Sequence, residues 1–143
     1  MIIKIPTIQI EKFWEVIKFA SIKADGIKEE NISSYSINLL YDLLNEKSLC
    51  LISFNKEMAV QRILIVSFVF SKETNAKGMF FNILYGFETG TAEEWAEESQ
   101  QIYNFAKKEN CSFISMTTNN PQVKILAERY GFGIVSENYQ INF

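Results

Sequence analysis

Apolar residues recur along this chain with a helical period first and as near-continuous runs afterwards, and that change marks its organisation. A short strand, Ile2 to Ile5, ends at Pro6. Ile10, Phe13, Trp14, Ile17 and Ala20 then share one face of a helix expected from about Gln9 to Ala24, with Lys12, Lys18 and Lys23 on its solvated side and Asp25-Gly26 as its stop. A second helix is expected after EENISS, capped by Ser33 or Ser34 and turning Ile37, Leu40, Tyr41 and Leu44 inward. Three runs follow that are apolar almost throughout: SLCLISF (48–54), VQRILIVSFVF (60–70) and MFFNILYGF (79–87). The turn-like segments Asn55 to Ala59 and Ser71 to Gly78 separate them, which predicts consecutive antiparallel strands. Their lack of clean alternation implies a sheet covered on both faces.

A long helix is expected from about Thr91 to Glu109, with Trp95, Ile102, Phe105 and Ala106 towards the core, and then a strand, Ser112 to Thr118. The stretch Asn119 to Phe132, NNPQVKILAERYGF, marks both ends of a short helix. Asn120 is a preferred N-cap and Pro121 suits the first helical position, where its missing N–H costs nothing. Val123, Leu126, Ala127 and Tyr130 form one apolar stripe, and Gly131 stands where a left-handed residue usually ends a helix. A final strand pair in Gly133 to Phe143 completes the expected order.

That strand, Asn cap, amphipathic helix and Gly-Phe exit resembles the last motif of the GNAT acyltransferases, and the order of elements along the whole chain is similar to theirs. The resemblance implies a single domain over residues 1–143. It implies an α+β, three-layer fold with a mostly antiparallel mixed sheet of about six to seven strands and about four helices on both faces. Laying Gly131-Phe132 on the family's Gly-Phe puts its Asn on Asn120, its small residue on Val123 and its tyrosine position on Ala127. The tyrosine is therefore absent.

The resemblance further implies an acetyl-CoA cleft where the central strand Met79 to Phe87 parts from Ser112 to Thr118. Asn82, Leu84 and Tyr85 on that strand, Thr89, Gly90, Thr91 and Ala92 in the loop after it, and Asn120 would be the cofactor-binding residues. The family's loop is richer in glycine and carries Gln or Arg, whereas FETGTAEE has one glycine and neither. Glu88, Glu93, Glu94, Glu97 and Glu98 crowd this loop and the first turns of the helix. Acidic residues are ordinary partners of a helix N-terminus, and they would also repel a diphosphate placed there. Acetyl-CoA binding and weak or absent binding are thus equally expected. With Ala127 in the tyrosine position, Tyr130 and Tyr85 are the remaining candidates for an acid that protonates a leaving thiolate. Glu57, Glu73 and Glu88 near strand ends are the only candidates for a general base.

Composition narrows the function classes. The 143 residues are 48% apolar and 14% aromatic with twelve Phe, as suits a compact chain able to bury about two thirds of its unfolded surface. There is no His, which removes the commonest general base and zinc ligand, and no metal is expected. Cys50 and Cys111 lack metal or disulfide spacing and read as reduced thiols. A net charge of −3 and a pI near 5.1 give no footprint for nucleic acid or an anionic membrane. No apolar run is long enough to span a bilayer and the first residues lack a signal-peptide pattern, so a cytoplasmic protein of a bacterial or phage-infected cell is expected. Two function classes remain. One is a non-catalytic GNAT-like chain with an eroded site and a binding or structural role, such as small phage proteins resemble. The other is an acetyl-CoA-dependent N-acetyltransferase acting on a small amine or a protein amine. The aromatic load also points to a protein partner or a homodimer, with Tyr139 to Phe143 as the pairing edge.

Overall fold

A computed structural model of the chain describes all residues except 119 and 136. The start of the capped stretch at Asn119 and one position of the expected terminal strand pair lie outside the described residues. Among those described, five strands form one sheet in the order β1-β2-β3-β4-β5: β1 (Ile2–Lys4), β2 (Leu49–Phe54), β3 (Val60–Phe70), β4 (Lys77–Gly86) and β5 (Phe113–Met116). The first four are antiparallel to their neighbours and β5 runs parallel to β4, so the sheet is mixed. The helices are α1 (Ile10–Asp25), α2 (Ile32–Leu44), α3 (Ala92–Lys108) and α4 (Pro121–Arg129), with short 3-10 turns ahead of α1 and α2.

Local signals set several boundaries. Gly26, at φ +59°, ends α1, and Gly131, at φ +90°, follows α4. Thr91 caps α3 through a reciprocal pair with Glu94, and Asn120 caps α4 by accepting from the Gln122 amide at 3.0 Å. The α1 stripe is as expected, with Ile10, Ile17 and Ala20 buried and Phe13 and Trp14 packed beside them.

Two expectations are corrected. The sheet has five strands among the described residues, not six to seven, because no described residue of 133–143 is in a strand. All of them are exposed, Phe143 fully. The alternation of Tyr139, Ile141 and Phe143 is a local preference only, and a hairpin without a third strand or a covering layer is marginal in water. The second correction is the rotation of α2. It starts at Ile32, so Ser33 and Ser34 lie inside it, and its core face is Leu39, Leu40 and Leu43, while Ile37, Tyr41 and Leu44 are exposed. The Tyr35 hydroxyl, donating to Asp25 Oδ2 at 2.7 Å, ties α2 to the end of α1 in this orientation.

Both faces of the sheet are covered. On one, α1 and α2 close over Ile52, Ile63, Ile65 and Ile83. On the other, Ile102, Phe105 and Ala106 of α3 pack on Leu51, Leu64, Val66 and Met79. Both cysteines are free, and burial pushes the Cys50 thiol up to about 12.

Candidate functional site

The strands β4 and β5 pair only from Gly78 opposite Phe113 to Phe81 opposite Met116. Beyond Phe81, β4 runs on to Gly86 without β5, so its edge is free on that side. The register against β3 also shifts there: Ile65 faces Ile83 while Val66 faces Phe81, leaving Asn82 as an extra residue. Such a bulge leaves backbone groups outside the ladder, and here it lies where the two strands part. Asn82 is exposed and its side-chain oxygen accepts from Ser67 Oγ at 2.9 Å.

On the α3 face, α3 and α4 lie side by side over this gap. Leu64, Leu84, Ile102, Val123 and Leu126 line a narrow apolar cleft of about 70 Å³, with Tyr103, Ala127 and Tyr130 also on its wall. Phe132, after the Gly131 exit, packs its ring against Phe81 of β4 at 6.3 Å.

Arg62, Trp95 and Glu98 also line this cleft, and the loop from β4 to α3 passes over the buried Arg62 guanidinium. Arg62 of β3 is 2% exposed and stands opposite Gly86. Its Nε and Nη2 donate to the two oxygens of Glu98 at 2.7 and 2.9 Å, and Glu98 is itself buried and contacted by Ser53 Oγ. The Trp95 ring lies 4.5 Å from Arg62 Cζ, and Trp95 Nε1 donates to the Thr89 carbonyl at 2.9 Å. Gly90, at φ +71°, passes so close that a Cβ there would stand 2.6 Å from Arg62 Nη1. Glycine is required at that position on both counts.

The crowded glutamates therefore divide. Glu98 neutralises Arg62. Glu94 accepts from the Thr91 amide at 3.2 Å and from Gln61 Nε2 at 3.0 Å, with Arg62 Nη2 at 3.7 Å, and the Thr91 amide above all holds its carboxyl below the ordinary value. Glu88 accepts from Asn55 at 3.3 Å, and Glu93 and Glu97 are exposed.

The candidate residues fall into three groups. Leu84, Ala127 and Tyr130 share the apolar cleft. Thr89, Gly90, Thr91 and Ala92 form the loop and first helical position beside it, with Asn120 at the start of α4 and Asn82 at the bulge. Tyr85 is turned to the opposite face, packed edge-on against Phe19 of α1 and Phe87. Glu57 and Glu73 are exposed turn residues, Glu73 in the β3–β4 turn at the far end of β4. Sequence reading missed Arg62, Trp95 and Glu98 as a unit. The available signal was Gln61-Arg62 inside an otherwise apolar run, since a buried arginine demands a charged partner.

No protein-family model and no curated protein sequence matches the chain. Solved structures do match in shape. A probable acetyltransferase superposes with a TM-score of 0.77 at 15% identity, covering 100% of this chain and 97% of that one. A GNAT family acetyltransferase from Staphylococcus aureus gives a TM-score of 0.69 at 14% identity, covering 100% and 98%. The fold is that of the GNAT acetyltransferases. A predicted acetyltransferase from Clostridium acetobutylicum, solved with acetyl-CoA, gives a TM-score of 0.71 at 15% identity over 99% of this chain and 95% of that one. At such identities the GNAT likeness reaches the fold and leaves the chemistry to the residues described above. Among the described residues, no cluster of His, Cys, Asp or Glu is placed to hold a metal ion and no helix is long and apolar enough to cross a membrane.

Proposed function

We propose that the chain binds an acyl-CoA thioester, acetyl-CoA in the first instance, between β4 and β5 and passes the acyl group to an amine. The observation that carries this reading is the free edge of β4 from Asn82 to Gly86, which leads from an apolar cleft straight into the start of a 17-residue helix. The residues present fit the group. Unpaired backbone along β4 suits an amide-bearing arm, Leu84, Ile102 and Val123 suit its methylenes, and amides at the α3 N-terminus suit phosphate.

Bound acetyl-CoA supplies the acyl group as a thioester. The chain's part is chiefly to position it: a neutral amine forms the new C–N bond as the C–S bond breaks, the amine's proton leaves to solvent, and the sulfur departs as a thiol. Tyr130, on the cleft wall with Tyr103 and Ala127, offers a hydroxyl to protonate that sulfur. With no histidine in the chain, the neutral amine is supplied by solution pH or by a carboxylate such as Glu88, and activity should rise towards alkaline pH.

A second reading has its own support. Glu93 and Glu97 stand exposed beside the loop, Ala127 offers no hydroxyl, and Ile134, Val135, Tyr139, Ile141 and Phe143 are exposed. An eroded, non-catalytic member in a bacterial or phage-infected cell, using this apolar segment to bind a protein partner or a second copy, accounts for all three. Calorimetric titration with acetyl-CoA and CoA separates the two. Saturable binding at or below tens of micromolar, about 6 to 7 kcal/mol, supports the first, and thiol release with a panel of amines then tests transfer. No binding to either compound sinks it.

A further inference from the structure

We infer that Ser67, Asn82 and Ser115, three uncharged side chains around Phe80 on the α1/α2 side of the sheet, receive the primary amine that takes the acyl group. This deepens the acyl-CoA reading and rests on it for the group the amine attacks. Strand alternation places the row. Val66 and Phe68 of β3, Met79 and Phe81 of β4, and Ile114 of β5 pack on the α3 side, and Met116 lines the cleft between α3 and α4. The residues between them, Ser67, Phe80 and Ser115, therefore point to the other side, and they are in register, Ser67 opposite Phe80 and Phe80 opposite Ser115. Asn82 joins them from the bulge, its Oδ1 accepting from Ser67 Oγ at 2.9 Å. Asn82 and Ser115 thus stand on β4 and β5 where those strands part, next to the last pair, Phe81 opposite Met116. Ile63, Ile65 and Ile83 on the same side are shut beneath α1 and α2, whereas Asn82 is exposed and Ser67, Phe80 and Ser115 are half-buried.

An arm seated in the cleft between α3 and α4 blocks approach from that side, so an amine reaches the thioester carbon through the gap from the α1/α2 side. Asn82 and Ser115 border that route. A carboxylate in this row would favour the ammonium ion, which has no lone pair to give. Neutral oxygens do not. Asn82 Oδ1 keeps one lone pair beside the bond from Ser67, and the two hydroxyl oxygens accept as well, so the amine's N–H groups are held while its lone pair faces the carbonyl carbon. The C–N bond forms, the C–S bond breaks, and the amine gives up one proton as the sulfur takes one. Phe80, between the two hydroxyls, meets the body of the substrate. The row therefore suits a primary amine on an apolar or aromatic group, and it offers no counter-charge to a polycation.

The full chain, Asn82→Ala and Ser115→Ala are assayed for thiol release from acetyl-CoA with benzylamine and are titrated with CoA. The expected result is a KM for benzylamine raised about three- to tenfold in each variant, with CoA affinity and melting temperature unchanged. An unchanged KM in both variants, or a loss of CoA affinity equal to the rise in KM, overturns the inference, since a merely structural role does not separate the two ligands. Asn82→Asp should move the pH–rate profile for benzylamine to higher pH, because its carboxylate holds the amine protonated, and a profile that stays in place also overturns it. Aniline, a primary amine uncharged at neutral pH, supplies a readout independent of turnover. Added to ¹⁵N-labelled protein, it should shift the Asn82 side-chain amide and the Ser115 backbone amide resonances, and unshifted resonances overturn the inference. Aniline shifts without CoA binding would leave the amine site standing and sink the acyl-CoA reading. CoA binding without aniline shifts would do the reverse.

Discussion

Against one face of the sheet, α1 and α2 lay Ile10, Ile17, Ala20 and Leu43 onto Ile52, Ile63 and Ile65, and the buried Ser21 hydroxyl of α1 donates back to the Ile17 carbonyl. Against the other face, α3 combines a smaller aliphatic cluster with a buried ion pair, and α4 has no buried residue at all. Where α1 and α2 cover it, the first face is shut by close packing, which tolerates no ligand. The second is held at one end by charge and left open at the other, and the cleft lies between those two ends. The difference between the faces is therefore the difference between a closed scaffold and an open candidate site: the same sheet carries both because β5 is short and stops pairing at Met116.

Charge and packing respond differently to mutation, which gives the largest tests. Glu98→Ala strands the Arg62 guanidinium without its bidentate partner and should cost about 3–5 kcal/mol by urea denaturation. The double variant Arg62→Met/Glu98→Leu should recover most of that loss, because a buried pair is costly to break and cheap to replace with apolar groups. Failure of the double variant to recover would mean that the pair is needed for folding itself. On the scaffold face, Ile63→Ala removes a fully buried side chain from the central strand and should cost about 2–5 kcal/mol. Leu126→Ala on the half-buried α4 should cost clearly less than Ile63→Ala. Equal costs would erase the contrast between the faces.

What could be read from the sequence follows the range of the interaction. The stops at Gly26 and Gly131, the cap at Asn120, and the stripes of α1 and α4 each depend on residues within a turn or two, and they stand as expected. The rotation of α2 was not legible, because Ile37, Tyr41 and Leu44 make as good a stripe as Leu39, Leu40 and Leu43 until Tyr35 reaches back to Asp25. The terminal segment alternates like a strand, yet pairing needs an edge that its own residues cannot specify. At the candidate site, the cleft and loop were expected only through the GNAT resemblance, whereas the coupling of Arg62 to Glu98 joins residues 36 apart in the chain. Five nearby glutamates looked alike in sequence; only the fold separates the one that neutralises a buried arginine from those that face solvent.

The smallest effects concern the open face. Asn120→Ala removes the cap of α4 and should cost about 1 kcal/mol, with a larger loss of CoA affinity than Leu126→Ala if the start of α4 borders the ligand; equal losses would place the ligand along the helix instead. Below that in size comes the pH dependence of Glu94. Its carboxylate accepts from the Thr91 amide and from Gln61 beside Arg62, so its pKa in the folded chain is depressed. The unfolded chain then takes up the proton first, at about pH 4.3. The stabilisation is present above that value and is lost as pH falls through the lower folded value. Glu94→Gln cannot titrate. The stability gap between wild type and Glu94→Gln should therefore narrow between about pH 6 and about pH 3 in urea titrations. A gap that stays constant would mean that Glu94 holds the loop by hydrogen-bond geometry alone, which the amide could also supply, and that the charged end of this face is Arg62 and Glu98 by themselves.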